Sequence, residues 1–213
     1  MKISSLIAAL ALIGAFASFL QADDKKPAPK WPAAGAETPD GAMTYLFNVT
    51  GPEAYRDRFH CLVTEYALDP TVMILIQGVD TLENPGVLAL LQQLDQAVTR
   101  NKLKRLHAFV VVLDPSLQDV VKQDVPRYRL KKKVDAVVKA ETNKLGNGEK
   151  VPFCICTPNQ LKDYRPAETA ALTAVFTKNH IVVRSDVLSK DDLKEDKLTK
   201  LLADGLAELL PSK

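Results

Sequence analysis

The chain is poor in cysteine: only Cys61, Cys154 and Cys156 occur in 213 residues. That is too few for a disulfide scaffold, and the odd number leaves at least one thiol unpaired within a monomer. Charge of one sign is also missing. With Lys+Arg 28 against Asp+Glu 26, nothing pulls the chain toward nucleic acid. No internal repeat occurs, and no glycine-rich phosphate loop. Gly146-Asn147-Gly148 follows a helical pattern and precedes a strand, the wrong order for one. His60, His107 and His180 are scattered, without metal-ligand spacing or a Ser/His/Asp arrangement. They read as surface or strand-end residues, so the histidines by themselves offer no metal site, and the sequence implies no cofactor.

At the start stands an apolar segment. Met1-Lys2 is a short positive opening, and Ile3 to Leu20 is almost wholly small and apolar. Ala15-Phe16-Ala17 offers an A-x-A cleavage site, and Leu20-Gln21-Ala22 a second one just before Asp23-Asp24. We expect residues 1–22 to be a signal peptide and the protein to be exported, to a periplasm or to the extracellular space. As a membrane anchor the run is marginal, spanning only if all of it stayed in the bilayer. No cysteine lies in it, which excludes a lipid-modified cysteine at the cleavage site. After signal removal no stable membrane span is expected.

Residues 23–43 are rich in proline, alanine and charge, with Trp31 as the one aromatic. Such a composition cannot offset the entropy of ordering, so a disordered linker is expected there. Residues 44–213 are of a size suited to one domain. Asn48-Val49-Thr50 fits an N-glycosylation sequon.

Within the domain, strand and helix patterns alternate. Phe59–Val63 reads as a short lead-in strand. Thr71–Gln77 (TVMILIQ) and Leu106–Leu113 (LHAFVVVL) are continuous apolar runs, as strands buried on both faces require. Asn84 with Pro85 opens a helix, continued by Val87, Leu90, Leu91, Leu94 and Val98. Ser116 to Leu145 reads as a long helical region that Pro126 should kink or split. Val151–Cys156 is a third strand, followed by a helical turn over Asn159–Tyr164. Ala171–Thr177 and Ile181–Asp186 form a hairpin around Lys178-Asn179-His180. Lys190–Leu210 is the last helix. The order predicts an α/β layer fold with a central, mainly parallel sheet flanked by helices, ending in a β-hairpin and helix.

From Thr71 to Leu210 this order resembles the thioredoxin-like superfamily, in its peroxiredoxin-like or TlpA-like variant. VPFCICTPNQLKDY is similar to that variant's strand, loop and short helix ending in tyrosine, and ALTAVFTKNHIVV to the hairpin after it. The resemblance implies a Cys-x-x-Cys dithiol at the turn after Thr71–Gln77, where a helix N-terminus lowers a thiol pKa. Here that turn reads Asp80-Thr81-Leu82-Glu83-Asn84, and no residue in it forms a thiolate. Asp80 and Glu83 are explained by the helix dipole. The family's cis-proline, just before the next strand, is absent too. Its place falls at Leu172 before Thr173, and Pro166 comes several residues too early.

The remaining thiols carry alternatives. Cys61 lies where secreted relatives often have a second cysteine at the position of Thr64, so it reads either as half of a lost redox pair or as a buried apolar cysteine. Cys154 and Cys156 sit two apart on a strand and share a face. They are too far apart for an intra-strand bridge. Core packing, a disulfide from one of them to Cys61, or a soft-metal site with Cys61 or His60 are the readings in that order. The cluster Arg127, Tyr128, Arg129, Lys131, Lys132 and Lys133 reads first as a solvated helix face, second as a contact for an anionic surface or acidic partner. Two functions follow. The first is an exported, non-catalytic binding or assembly module with an unidentified protein partner. The second is a residual thiol–disulfide redox protein using Cys61 with Cys154 or Cys156.

Overall fold

The computed structural model describes residues 33–38, 46–161, 166–167 and 169–210. The proposed signal peptide, and residues 23–32 and 39–43 of the expected linker, lie outside them. Among the described residues there are six strands in one sheet. These are β1 (Phe47–Asn48), β2 (Thr71–Gln77), β3 (His107–Leu113), β4 (Phe153–Cys156), β5 (Leu172–Lys178) and β6 (Ile181–Leu188). The helices are α1 (Leu62–Glu65), α2 (Val79–Leu82), α3 (Pro85–Arg100), α4 (Asp124–Lys139) and α5 (Glu195–Leu209).

The strand order is β1-β4-β3-β2-β5-β6. β2 pairs in parallel with β3, from Thr71 beside His107 to Gln77 beside Leu113, and β3 in parallel with β4. The outer pairings, β1–β4, β2–β5 and β5–β6, are antiparallel. The fold is thioredoxin-like, and the expected parallel character belongs to its centre. β2, β3, β4 and β6 run one way, β1 and β5 the other.

Right-handed crossovers put α3 and α4 on the same face of the sheet, and α5 packs there against α3. That face is the larger core. Val72, Ile74, Ile76, Val110, Val112, Ile155 and Phe176 meet Leu90, Leu94, Leu130, Val134, Leu198 and Leu202. Gly205 of α5 lies flat on the Phe176 ring, where an added Cβ would stand 2.2 Å from a ring carbon. The other face carries Met73, Leu75, Phe109, Val111, Cys154, Cys156 and Val175. Among the described residues the lead-in segment packs on it through Leu46, Leu62, Tyr55, Cys61, Val63 and Tyr66, together with Leu161.

Several boundaries differ from expectation. Phe59–Val63 is not a strand: Phe59 makes one isolated bridge to Phe47, and Leu62 already starts α1, because its buried side chain docks on the sheet. α4 begins at Asp124, so Pro126 sits in its first turn, where a missing N–H costs no helical bond. There is no kink to explain. Residues before it turn irregularly, held by Asp114, Asp119 and Gln123 side chains. After Cys156 the chain makes a short 3-10 turn, Pro158–Gln160, and residues 162–165 lie outside the described ones. The last helix starts at Glu195, after a separate turn closed by a Ser189–Asp192 capping box.

The expected linker is not free of contacts throughout. Gly35 N–H donates to Val182 O at 2.7 Å and Thr38 N–H to His180 O at 2.6 Å. Glu37 bridges Ile181, and Thr38 is buried. Composition argued against a core there, but strand pairing uses backbone groups that every sequence carries.

Candidate functional site

The corner beyond the carboxyl end of β2 is where the fold would hold a dithiol. Gly78 turns the chain there at φ +76, and its N–H donates to Leu113 O at 2.7 Å. Thr81 and Leu82 of α2 are buried. Asn84 then caps α3, its Oδ1 accepting from Gly86 N–H at 2.9 Å and Val87 N–H at 3.3 Å. The amides that would stabilise a thiolate are thus occupied by a neutral amide oxygen. Gly86 is pressed against the loop before α5, since an added Cβ would lie 2.5 Å from Leu193 O.

The neighbouring backbone is equally committed. Ala171 N–H donates to Leu188 O at 2.8 Å, and Ala171 O accepts from Gln77 N–H at 2.9 Å. Leu172, where the family's cis-proline would fall, pairs with Ile76 and Leu188 inside the sheet. No strand edge is open at Ala171 for an extended substrate to pair with.

The structure brings the three cysteines onto the thinly covered face, as free thiols. Cys154 is fully buried and donates to Asn48 Oδ1 at 3.2 Å. Burial pushes its thiol far up, and Cys156 and Cys61 nearby push it further. Burial likewise raises Cys156 to about 12. Both are neutral thiols at physiological pH and poor nucleophiles. Cys61 is half-exposed at the start of α1 and accepts a 3.3 Å bond from Thr64 Oγ1. Among the described residues no group of three or more His, Cys, Asp or Glu is arranged to hold a metal ion, so the soft-metal reading of the thiols has no support. Core packing describes Cys154 and Cys156.

Around this face lie Asn48, His60 and His107, joined by Tyr55, Glu65, Tyr66 and Asp69, which the sequence did not mark. Asn48 is fully buried, and its amide nitrogen donates to Leu46 O, Arg58 O and His60 O. It ties the lead-in loop to Cys154, so a glycan on Asn48 is incompatible with the folded state. Tyr55 stacks on His60 with ring centroids 4.0 Å apart and donates to Glu65 Oε1 at 2.9 Å. His60 Nε2 lies 3.4 Å from Glu65 Oε2, within ion-pair reach but off line for a hydrogen bond. Tyr66 stacks on His107 at 4.2 Å, and His107 Nε2 lies 3.2 Å from Asp69 Oδ2. Burial first, then Tyr55, Cys154 and Glu65, raise the Tyr66 phenol to about 12. A carboxylate thus stands beside each of these two histidines. His180 sits in the β5–β6 turn at φ +63.

The basic cluster divides. Arg127 is structural: its guanidinium lies over the Phe47 ring at 4.9 Å and the Phe59 ring at 5.3 Å, and it donates to Val120 O and Val121 O. Lys131 pairs with Asp57. Arg129, Lys132 and Lys133 point outward. Among the described residues no helix is long and apolar enough to cross a membrane.

No protein-family model matches the chain, and no curated protein sequence does. Solved structures do. An uncharacterized conserved protein from Geobacillus kaustophilus is 13% identical, with TM-score 0.51 over 84% of this chain and 86% of that one. A hypothetical protein from Sinorhizobium meliloti 1021 is 16% identical, with TM-score 0.50 over 83% of this chain and 84% of that one. A reduced Prx3 from Vibrio vulnificus, in complex with hydrogen peroxide, is 14% identical, with TM-score 0.48 over 81% of this chain and 98% of that one. What the first two share with this chain, at these identities, is the fold.

Proposed function

We propose that the protein is an exported thioredoxin-fold domain without thiol–disulfide turnover, acting as a binding or assembly module. The observation that carries this reading is the Asn84 cap. It fills the helix N-terminus that dithiol chemistry needs, at a turn with no cysteine. The paired backbone at Ala171 and the neutral, buried Cys154 and Cys156 agree with it. Export rests on the Met1–Ala22 segment, and a mature N-terminus found by sequencing the exported protein checks it.

The second reading is a residual redox protein. It draws on the placement of Cys61, half-exposed, in one cluster with Cys154 and Cys156. In it Cys61 and one of those thiols would lose two electrons and two protons, forming a disulfide, while a substrate disulfide is reduced to two thiols. An insulin-reduction assay separates the two. The first reading expects no turnover above the dithiol reductant alone. Turnover abolished by Cys61→Ser would overturn it and establish the second.

A further inference from the structure

α4 turns one long face to solvent. Val125, Arg129, Lys132 and Ala136 follow at intervals of four, three and four residues, so they line one stripe, and all are exposed. Val125 is 62% and Tyr128, beside it, 55% exposed. Along Tyr128 runs a groove of about 310 Å³, lined by Phe47 and by two ion-paired sets, Arg127 with Asp124 and Lys131 with Asp57.

The charges on this helix are sorted. Its inward cations are neutralised within the chain, Arg127 by Asp124 and Lys131 by Asp57. Of its outward cations, Lys139 in the last turn pairs with Asp135, but the three midway along the helix differ. Arg129 and Lys133 have no carboxylate partner among the described residues, and the Lys132 ammonium lies 4.8 Å from the Tyr128 ring centroid. A merely solvated face mixes both signs, as α5 does, where Lys200 meets Asp204 within the helix and Lys197 meets Asp192 of the turn before it. The stripe from Val125 to Ala136 carries apolar side chains and cations and no acid.

We propose that this face of α4 binds an acidic, amphipathic segment of a partner protein. Its carboxylates meet Arg129, Lys132 and Lys133, and an apolar side chain enters between Val125 and Tyr128. This rests on the binding-module reading and gives that module its surface. A protein segment fits better than an anionic bilayer. The Asp124 side chain, 80% exposed, stands next to Val125, and a flat anionic surface reaching Val125 would press its charge against that carboxylate. A peptide can place a neutral residue there.

The test titrates the full isotope-labelled chain with a synthetic amphipathic helix bearing glutamate on one face and leucine on the other. Phosphatidylglycerol vesicles and the same peptide with glutamine for glutamate serve as comparisons. Saturable NMR shift changes concentrated on residues 121–136 are expected, weakened by salt. Affinity should fall roughly tenfold or more in Arg129→Glu/Lys132→Glu/Lys133→Glu, as expected when complementary charges become repulsive. Val125→Asp, an exposed change, should weaken binding without altering the melting curve. The proposal is overturned if the acidic peptide fails to bind, shifts residues elsewhere, or binds the charge-reversed chain equally. Binding to the vesicles but not the peptide also overturns it. Insulin turnover would sink the module reading itself, a different failure from the loss of this surface.

Discussion

The two faces of the sheet are built on different principles. The helical face packs three helices of fifteen or sixteen residues through aliphatic and aromatic side chains. On the opposite face the described residues place a loop and a four-residue helix. There, polar side chains do part of the work: Asn48 gathers three carbonyls and a thiol, and two tyrosine–histidine–carboxylate sets flank α1. A helix too short to be stable alone must be held by tertiary contacts. The comparison teaches that one face supplies the cohesion of the domain, while the other depends on specific hydrogen bonds and on groups that must stay uncharged.

The largest expected effect breaks the helical face. Phe176→Ala removes a fully buried ring beneath Gly205, and truncations of this kind cost roughly 3–5 kcal/mol. Gly205→Ala attacks the same contact from the other side by overpacking, for about 1–3 kcal/mol. Urea denaturation of both variants checks the pair. A Gly205→Ala protein as stable as the parent would mean that α5 does not lie on Phe176.

Alkali should act on the opposite face. Cys156 has an ordinary value of 9.0, raised to about 12 in the fold, Cys154 is raised well above 9.0, and Tyr66 goes from 10.0 to about 12. Below about pH 9 both states keep these protons, and the stability is intact. Above it the unfolded chain releases them while the folded chain holds them, so stability falls as pH rises toward 12. Each fully buried group contributes about 1.4 kcal/mol per pH unit across that window, and the partly exposed Tyr66 less. Acid acts elsewhere. The Asp192 carboxyl, hydrogen-bonded by Lys197 and Ser189, is held down at about 2. Its contribution is present above the ordinary 3.8 and lost as pH falls toward 2. Melting curves across pH, with Cys154→Ala as the comparison, locate the alkaline loss. If that variant loses stability with alkali as the parent does, Cys154 is not part of the cause.

How much of this was legible in the sequence follows the same division. β2, β3 and the start of α3 could be read because each is a long run with one period or one cap: TVMILIQ, AFVVVL, Asn84-Pro85. The empty dithiol turn was legible for the same reason, since it lies between two well-marked elements. The thin face was not. Its cover is made by contacts between residues far apart in the chain, such as Asn48 with Cys154, and no local period records them. Arg127 read as one more surface cation because its partners, Phe47 and Phe59, are remote in sequence.

Asn48 offers a test intermediate in size. Asn48→Ala leaves the carbonyls of Leu46, Arg58 and His60 and the Cys154 thiol short of a partner. An unsatisfied buried polar group costs about 1–3 kcal/mol. The loss should come with faster labelling of Cys154 by a thiol reagent, because the loop that Asn48 anchors covers that sulfur. Lower stability without faster labelling would separate the two roles and leave Asn48 as a fold residue only.

The smallest effect sharpens the comparison at the corner itself. Asn84→Ala removes the Oδ1 that accepts from Gly86 and Val87, and loss of such a cap costs about 1 kcal/mol. It also frees the α3 amides, which makes Asn84→Cys the informative partner. A thiol placed there would meet the same N–H groups that now bind a neutral oxygen, and their dipole favours a thiolate. Its pKa, read from the pH dependence of alkylation in a Cys61→Ser background, should fall below the 8.5 or so of a free thiol. In that background Cys154 and Cys156 stay unreactive, buried on the other face. A value at or above that of a free thiol would mean that the corner has lost its electrostatics along with its cysteines. A depressed value would mean that the scaffold for the chemistry survives and that the residues alone have changed.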